Sequence, residues 1–353
     1  MTRFFANSQS QFVSSATVSF RIASALLKTT SEGMTNSFNL FLVLALPTLA
    51  SAWFWDKPNI DANDPLEQTG PFNVIKTLTD IAVSDADLMA EIFQPDITTS
   101  GDLKGFVLFT PGFGASFKMY DDYLSHLASH GYLTVGMDFE SAGFTNESFQ
   151  DVKAQQVLEA IAVVQELDSS YASLPVIVAG HSNGGKISFY AASIDTSNII
   201  DGVIAMDPVN SGAGPCFLGD ACFKYPVAPN VQSGQRGILH QMNDNTPSSL
   251  IFRSQPDLMT NPDEQFNAQY FFEGSDGSGL DGAPSPSLHC DMGGFSHAGY
   301  VPMMCSEQVQ LTKRTMVAWL QENFEGTNRS EHLTGAVIQA DIQSGYFDSV
   351  AFR

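Results

Sequence analysis

The chain has 353 residues, 43% of them hydrophobic and only 15% charged, so it can bury a large core and lies far from the polar composition of disordered proteins. Thirty-eight acidic against sixteen basic residues give a net charge of −22. Such a surface repels phosphate backbones and anionic lipid, which excludes a nucleic-acid binder and a polybasic membrane protein.

Residues 1–52 read as a targeting segment. Arg3, Arg21, Lys28 and Glu32 are the only charged residues before Asp56. Within the segment, Phe38 to Leu49 is an apolar block of about twelve residues, too short for a membrane span. Ala50-Ser51-Ala52 follows it as a small-x-small cleavage site, so residues 34–52 form a signal-peptide-like core, with Met34 a candidate initiator. The expected route is entry into the endoplasmic reticulum, then a chloroplast, or secretion or retention in the endomembrane lumen. The Ala-Ser-Ala-Trp-Phe junction resembles the bipartite presequences of algae whose plastids are reached through that compartment. Residues 53–70 read as an acidic linker, 71–325 as the catalytic domain and 326–353 as a C-terminal tail.

From residue 71, apolar strand runs alternate with helical patterns, which predicts an α/β fold with a mostly parallel central sheet and helices on both faces. Strands are expected at 105–110, 132–139, 175–180 and 200–207. Helices are expected at 117–130, closed by Gly131, at 151–167, with Val157, Ile161 and Val164 on one stripe, and at 306–323. The Gly/Ser/Pro-rich run 274–288 reads as a surface loop.

Gly180-His181-Ser182-Asn183-Gly184 is a G-x-S-x-G sequence at a strand-to-helix junction. That spacing perches a serine on a strained turn, with glycines where strand and helix approach closely. Ser182 is therefore the candidate nucleophile, and it needs a base and an orienting acid later in the chain. His126 and His130 lie on an early helix, His181 inside the elbow, and His332 past the last core helix. Of His240, His289 and His297, the last sits in a glycine-rich loop before the final helix and is the candidate base, whereas His289 reads as strand. Asp207, ending an apolar run before Pro208, and Asp257, one strand later, compete as the acid, with Asp244 a weaker third. The oxyanion hole is assigned to the backbone N–H groups of Asn183 and Phe113. No metal or cofactor is called for.

The elbow GHSNGGKISFYAA resembles that of the chlorophyllase family, usually GHSRGGKTAF. The likeness continues in LSHLASHGYLTV (124–135), GVIAMDPV (202–209) and GGFSHAGYVPM (293–303). Carried over residue by residue, it implies a triad of Ser182, Asp207 and His297 and favours Asp207 over Asp257. The chain departs from the family at Asn183, where Arg is usual, at Pro111, where His is usual, and across 211–292. The resemblance implies a serine carboxylic ester hydrolase that cleaves the phytyl ester of chlorophyll, in chlorophyll breakdown and at the surface of pigment-bearing membranes. The magnesium would belong to the substrate. Phe113, Phe117, Met119 and Phe144 are candidate cleft walls, each equally readable as core. The rival expectations are a generic carboxylesterase, lipase or polyester hydrolase of the same fold, and a non-catalytic pigment or lipid carrier.

The four cysteines, Cys216, Cys222, Cys290 and Cys305, allow two disulfides in an oxidising compartment. A Cys290–Cys305 bridge would clamp His297. Asn146 and Asn328 stand in glycosylation acceptor triplets.

Overall fold

Strand runs that are apolar at every position need cover on both faces, and that requirement sets the architecture. The computed structural model describes residues 64–97, 103–139, 149–209, 247–255, 268–273 and 286–353. The targeting segment, most of the linker, Asn146, Phe144, Cys216, Cys222, His240, Asp244 and Asp257 lie outside the described residues.

Nine strands form one sheet: β1 (Val74–Val83), β2 (Ala86–Pro95), β3 (Gly105–Thr110), β4 (Tyr132–Met137), β5 (Val176–His181), β6 (Gly202–Met206), β7 (Ser248–Arg253), β8 (Ser287–Asp291) and β9 (Ser349–Phe352), in the order β1-β2-β4-β3-β5-β6-β7-β8-β9. The pairs from β4 through β8 are parallel, while β1, β2 and β9 join antiparallel at the edges. The chain has the α/β-hydrolase fold.

The helices are α1 (Asp121–Ser129), α2 (Phe149–Leu167), α3 (Asn183–Ile194), α4 (Ala268–Glu273), α5 (Ser306–Phe324), α6 (Ser330–Leu333) and α7 (Ala336–Gln343). Period-two alternation within the strands sorts them onto two faces. Val107 and Phe109 of β3 pack with Leu124 and Leu127 of α1 and Met316 and Leu320 of α5. Phe106 and Leu108 face the other way, onto Val157, Ile161 and Val164 of α2 and Ile187 and Phe189 of α3. The stripe read in residues 151–167 is thus the buried face of α2. The β1–β2 hairpin was not anticipated. Ile75 and Leu78 of β1 remain exposed on it, so its apolar signal is half surface.

Both ends of the domain need correction. Residues 326–353, expected as a tail, are part of the domain: β9 pairs with β8, and Ile338, Tyr346 and Phe347 are buried in the core. Residues 64–70, expected as linker, are a strap on the same face. Leu66 is buried in the core, His126 and His130 donate through Nε2 to the carbonyls of Leu66 (2.9 Å) and Gln68 (3.1 Å), and Gly70 N–H donates to Ser129 Oγ (2.8 Å). Asp64 meets His332 at 3.0 Å, and Glu67 meets the buried Arg314 at 3.1 Å. Arg314 also pairs with Asp341 of α7, so one guanidinium joins strap, last long helix and C-terminal segment.

Burial pushes the Glu67 carboxyl up to about 7, with the Arg314 cation opposing the shift. A carboxyl raised in the folded state stabilises it below the unfolded value, near 4.5, and that contribution is lost as pH rises through about 7. Glu67→Gln should therefore gain on the parent in melting temperature as the pH goes from 5 to 8. A constant difference across that range would refute the assignment.

Candidate active site

The elbow is built from steric exclusions. A Cβ on Gly180 would fall 2.4 Å from the Gly184 carbonyl carbon, and one on Gly184 would fall 2.2 Å from the Thr110 oxygen. Only glycine at both positions lets β5 turn into α3 against the end of β3. Between them Ser182 takes φ 55°, a strained conformation for a residue with a side chain. Its N–H donates to the Met206 carbonyl (2.9 Å), and its own carbonyl accepts from Lys186 N–H (3.1 Å), so the strain is held by backbone hydrogen bonds.

Asp207 follows β6, the neighbour of β5, also at positive φ (45°), and its N–H donates to the Phe252 carbonyl (2.8 Å). Its carboxylate is buried and accepts from three directions. His297 Nδ1 lies 2.7 Å from Oδ2, the Ser254 hydroxyl donates to the same oxygen, and Ser254 N–H reaches Oδ1 at 3.3 Å. A carboxylate that accepts from Nδ1–H leaves Nε2 as the basic nitrogen of the neutral imidazole. His297 is buried and opens a short 3-10 turn, His297–Tyr300, after β8.

Thus Ser182, Asp207 and His297 follow β5, β6 and β8 at the carboxyl edge of the sheet. The proposed oxyanion turn meets them there: a Cβ on Gly112, the residue before Phe113, would stand 3.3 Å from Ser182 Cβ. The Phe113 side chain is 45% exposed, so it is available as a wall; Phe117 is wholly core, and Met119 packs against core.

The disulfide expectation fails for the pair that is described: Cys290 and Cys305 are both free thiols. Cys290 is buried in the core from β8, whereas Cys305 stands at the start of α5 with Sγ 3.7 Å from Glu307 Oε2. The loop carrying His297 is tied instead by polar contacts. Gln308 Nε2 donates to the Ser296 carbonyl (3.1 Å), as does Gly299 N–H (3.0 Å).

Four residues escaped the sequence reading. Ser254 follows directly on β7, in the stretch read only as leading to Asp257. Tyr120 and His181, read as helix stripe and elbow filler, touch each other through Tyr120 Oη and His181 Nδ1 at 2.7 Å. Lys186, fully buried in α3 one turn beyond the nucleophile, is pushed down to about 7 by burial. The structural expectation for His289 agrees with its place: it is buried in β8 and stacked on Phe272 at 5.1 Å.

Comparison with known proteins finds hydrolase relatives over part of the chain. A family model described as serine aminopeptidase, S33, matches residues 101–255. A monoglyceride lipase homolog of Monkeypox virus is 31% identical over 136 residues, 37% of this chain and 49% of that protein. Chlorophyllase-1 of Arabidopsis thaliana is 32% identical over 121 residues, 29% of this chain and 35% of that protein. The chain therefore spans about half the length of the first relative and about a third of the second.

Gly184→Ala should lower the melting temperature by roughly 5–10 °C, because a contact of 2.2 Å with backbone forces the elbow apart. Gly185→Ala is the control: its nearest backbone contact is 3.1 Å, and it should cost far less in the same thermal scan.

Proposed function

We propose that the chain is a serine hydrolase that cleaves the carboxylic ester of a long apolar alcohol, with the phytyl ester of chlorophyll as its substrate. The observations that carry the chemistry are the strained Ser182 after β5 and the buried His297–Asp207 pair at 2.7 Å at the same edge of the sheet. What supports the substrate class is the chlorophyllase relative, together with the Asp-Pro-Val after β6 and the ASHGY stretch after α1 begins.

In this reading His297 Nε2 takes the Ser182 proton as Oγ attacks the ester carbonyl. The N–H groups of Asn183 and Phe113 receive the negative oxygen that develops, and Asp207 stabilises the imidazolium. Collapse breaks the bond to the alcohol oxygen, and His297 returns the proton to it, releasing phytol. Water, deprotonated by the same imidazole, then hydrolyses the acyl-enzyme and frees the chlorin acid. The exposed Phe113 offers the alkyl chain an apolar surface next to the reacting carbon. The proposal keeps entry into the endoplasmic reticulum through residues 34–52 as the route to the compartment.

A second reading rests on the viral monoglyceride lipase homolog: the same machinery acting on monoacylglycerol. Both readings are decided by incubating the full chain in detergent micelles with chlorophyll a, and separately with a monoacylglycerol, and following products by reversed-phase chromatography. Chlorophyllide made by the parent and lost in Ser182→Ala supports the first. Fatty acid without chlorophyllide replaces it with the second. Cleavage of neither, by folded protein that a fluorophosphonate does not label, refutes the hydrolase proposal and favours a carrier.

Ser254→Ala removes one charge-assisted donor from Asp207 while leaving the His297 contact. Turnover should fall about tenfold with KM nearly unchanged. An unchanged kcat would show that the hydroxyl does not support the acid.

A further inference from the structure

We propose that His181, oriented by Tyr120, is a positioning residue that holds the backbone of His297 and so sets where its imidazole stands over Ser182. The inference rests on the serine-hydrolase reading and deepens it.

His181 precedes the nucleophile in the chain, and its ring nitrogens reach opposite ways: Nδ1 lies 2.7 Å from Tyr120 Oη, and Nε2 lies 3.1 Å from the carbonyl oxygen of His297. A carbonyl only accepts, so Nε2 carries the hydrogen. Nδ1 is then the acceptor in the neutral ring, and the Tyr120 hydroxyl donates to it. The Tyr120 oxygen also lies against the oxyanion turn, where a Cβ on Gly112 would stand 3.4 Å from it. One directed chain therefore runs from Tyr120 to His181 and from His181 to the His297 carbonyl. It ties the turn before α1, the elbow and the His297 loop together through side chains that are all buried.

The other tautomer would set the Nε2 lone pair against a carbonyl lone pair and lose the bond to His297, so the carbonyl fixes the tautomer and the Tyr120 hydroxyl, donating to Nδ1, stabilises it and holds the ring in place. The ring is also wedged, with centroids 5.7 Å from Tyr120, 5.5 Å from Tyr300 and 4.5 Å from the His297 ring. Charge reinforces the arrangement. When His297 holds the serine proton, a second imidazolium at that distance would repel it. Burial first, and His297 second, keep His181 neutral well below the ordinary histidine range. A misplacement of about 1 Å in such a base can cost on the order of a hundredfold in rate.

The test compares His181→Gln, His181→Leu and Tyr120→Phe with the parent. Gln keeps an N–H at the reach of Nε2; Leu keeps neither bond; Phe removes only the hydroxyl that donates to Nδ1. The readouts are the rate at which a fluorophosphonate labels Ser182, the kcat and KM of ester cleavage, and the melting temperature. His181→Leu should slow labelling and kcat about tenfold to a hundredfold with KM within about twofold. Gln should recover at least about threefold of that loss, and Phe should fall between Leu and the parent. Parental labelling in the Leu and Phe variants overturns the inference. So does equal loss in Gln and Leu, or a loss that only tracks melting temperature. If Leu does not fold, Gln and Phe decide alone. Labelling does not depend on which ester is the substrate, so a parent that labels but leaves chlorophyll intact sinks the substrate reading alone. A folded parent that does not label sinks both.

Discussion

The site depends on hydrogen bonds that continue past the ends of parallel strands. Ser182 N–H reaches the Met206 carbonyl at 2.9 Å, Asp207 N–H reaches Phe252 at 2.8 Å, and Met292 N–H reaches Arg253 at 2.8 Å. Each bond locks the first residue after one strand onto the last turn of its neighbour. Ser182, Asp207 and the root of the His297 loop are therefore spaced by the repeat between strands, before any side chain contributes. Ser182 and Asp207 both take positive φ at these points. Conformations that cost of order 1–3 kcal/mol each persist because the sheet over-determines them.

Side chains then refine what the backbone sets. Asp207 is fully engaged, by His297 on one side and Ser254 on the other, and so is held away from water and in register. His181 and Tyr120 reach the histidine loop from the opposite direction. Neither of the described cysteines helps here, although a covalent clamp was the simplest expectation. A network of buried hydrogen bonds holds the loop instead, and its directionality fixes proton positions as a disulfide could not.

The strands from 105 to 207 and the long helices were legible because a buried parallel strand is apolar throughout and a packed helix repeats at 3.6 residues. The elbow was legible because glycine is required by contact at Gly180 and Gly184 and by nothing weaker. What escaped was coded in pairs far apart in the chain. Tyr120 and His181 are 61 residues apart, Asp207 and Ser254 47, and each looks ordinary alone. The hairpin Val74–Pro95 escaped because β1 is an edge strand exposed on both faces from Ile75 to Leu78, so its alternation is blurred. The C-terminal segment was misread for another reason. Its buried residues Leu333, Ile338, Tyr346 and Phe347 are too sparse to show a period, and it is also held by the pairing of β9 with β8 and by the Arg314–Asp341 ion pair, which no local pattern encodes.

Arg314 has a consequence for how the fold is lost. Its partner Glu67 is 247 residues away in sequence, and Asp64 and His332 are 268 apart. Closing loops of that length is entropically costly until the intervening sheet has already formed, so these contacts belong to the last stage of assembly. Interactions absent from the transition state leave the folding rate alone and act on the rate of unfolding. The strap is thus a latch on kinetic lifetime: it governs how long a finished molecule survives, rather than how readily a new one is made.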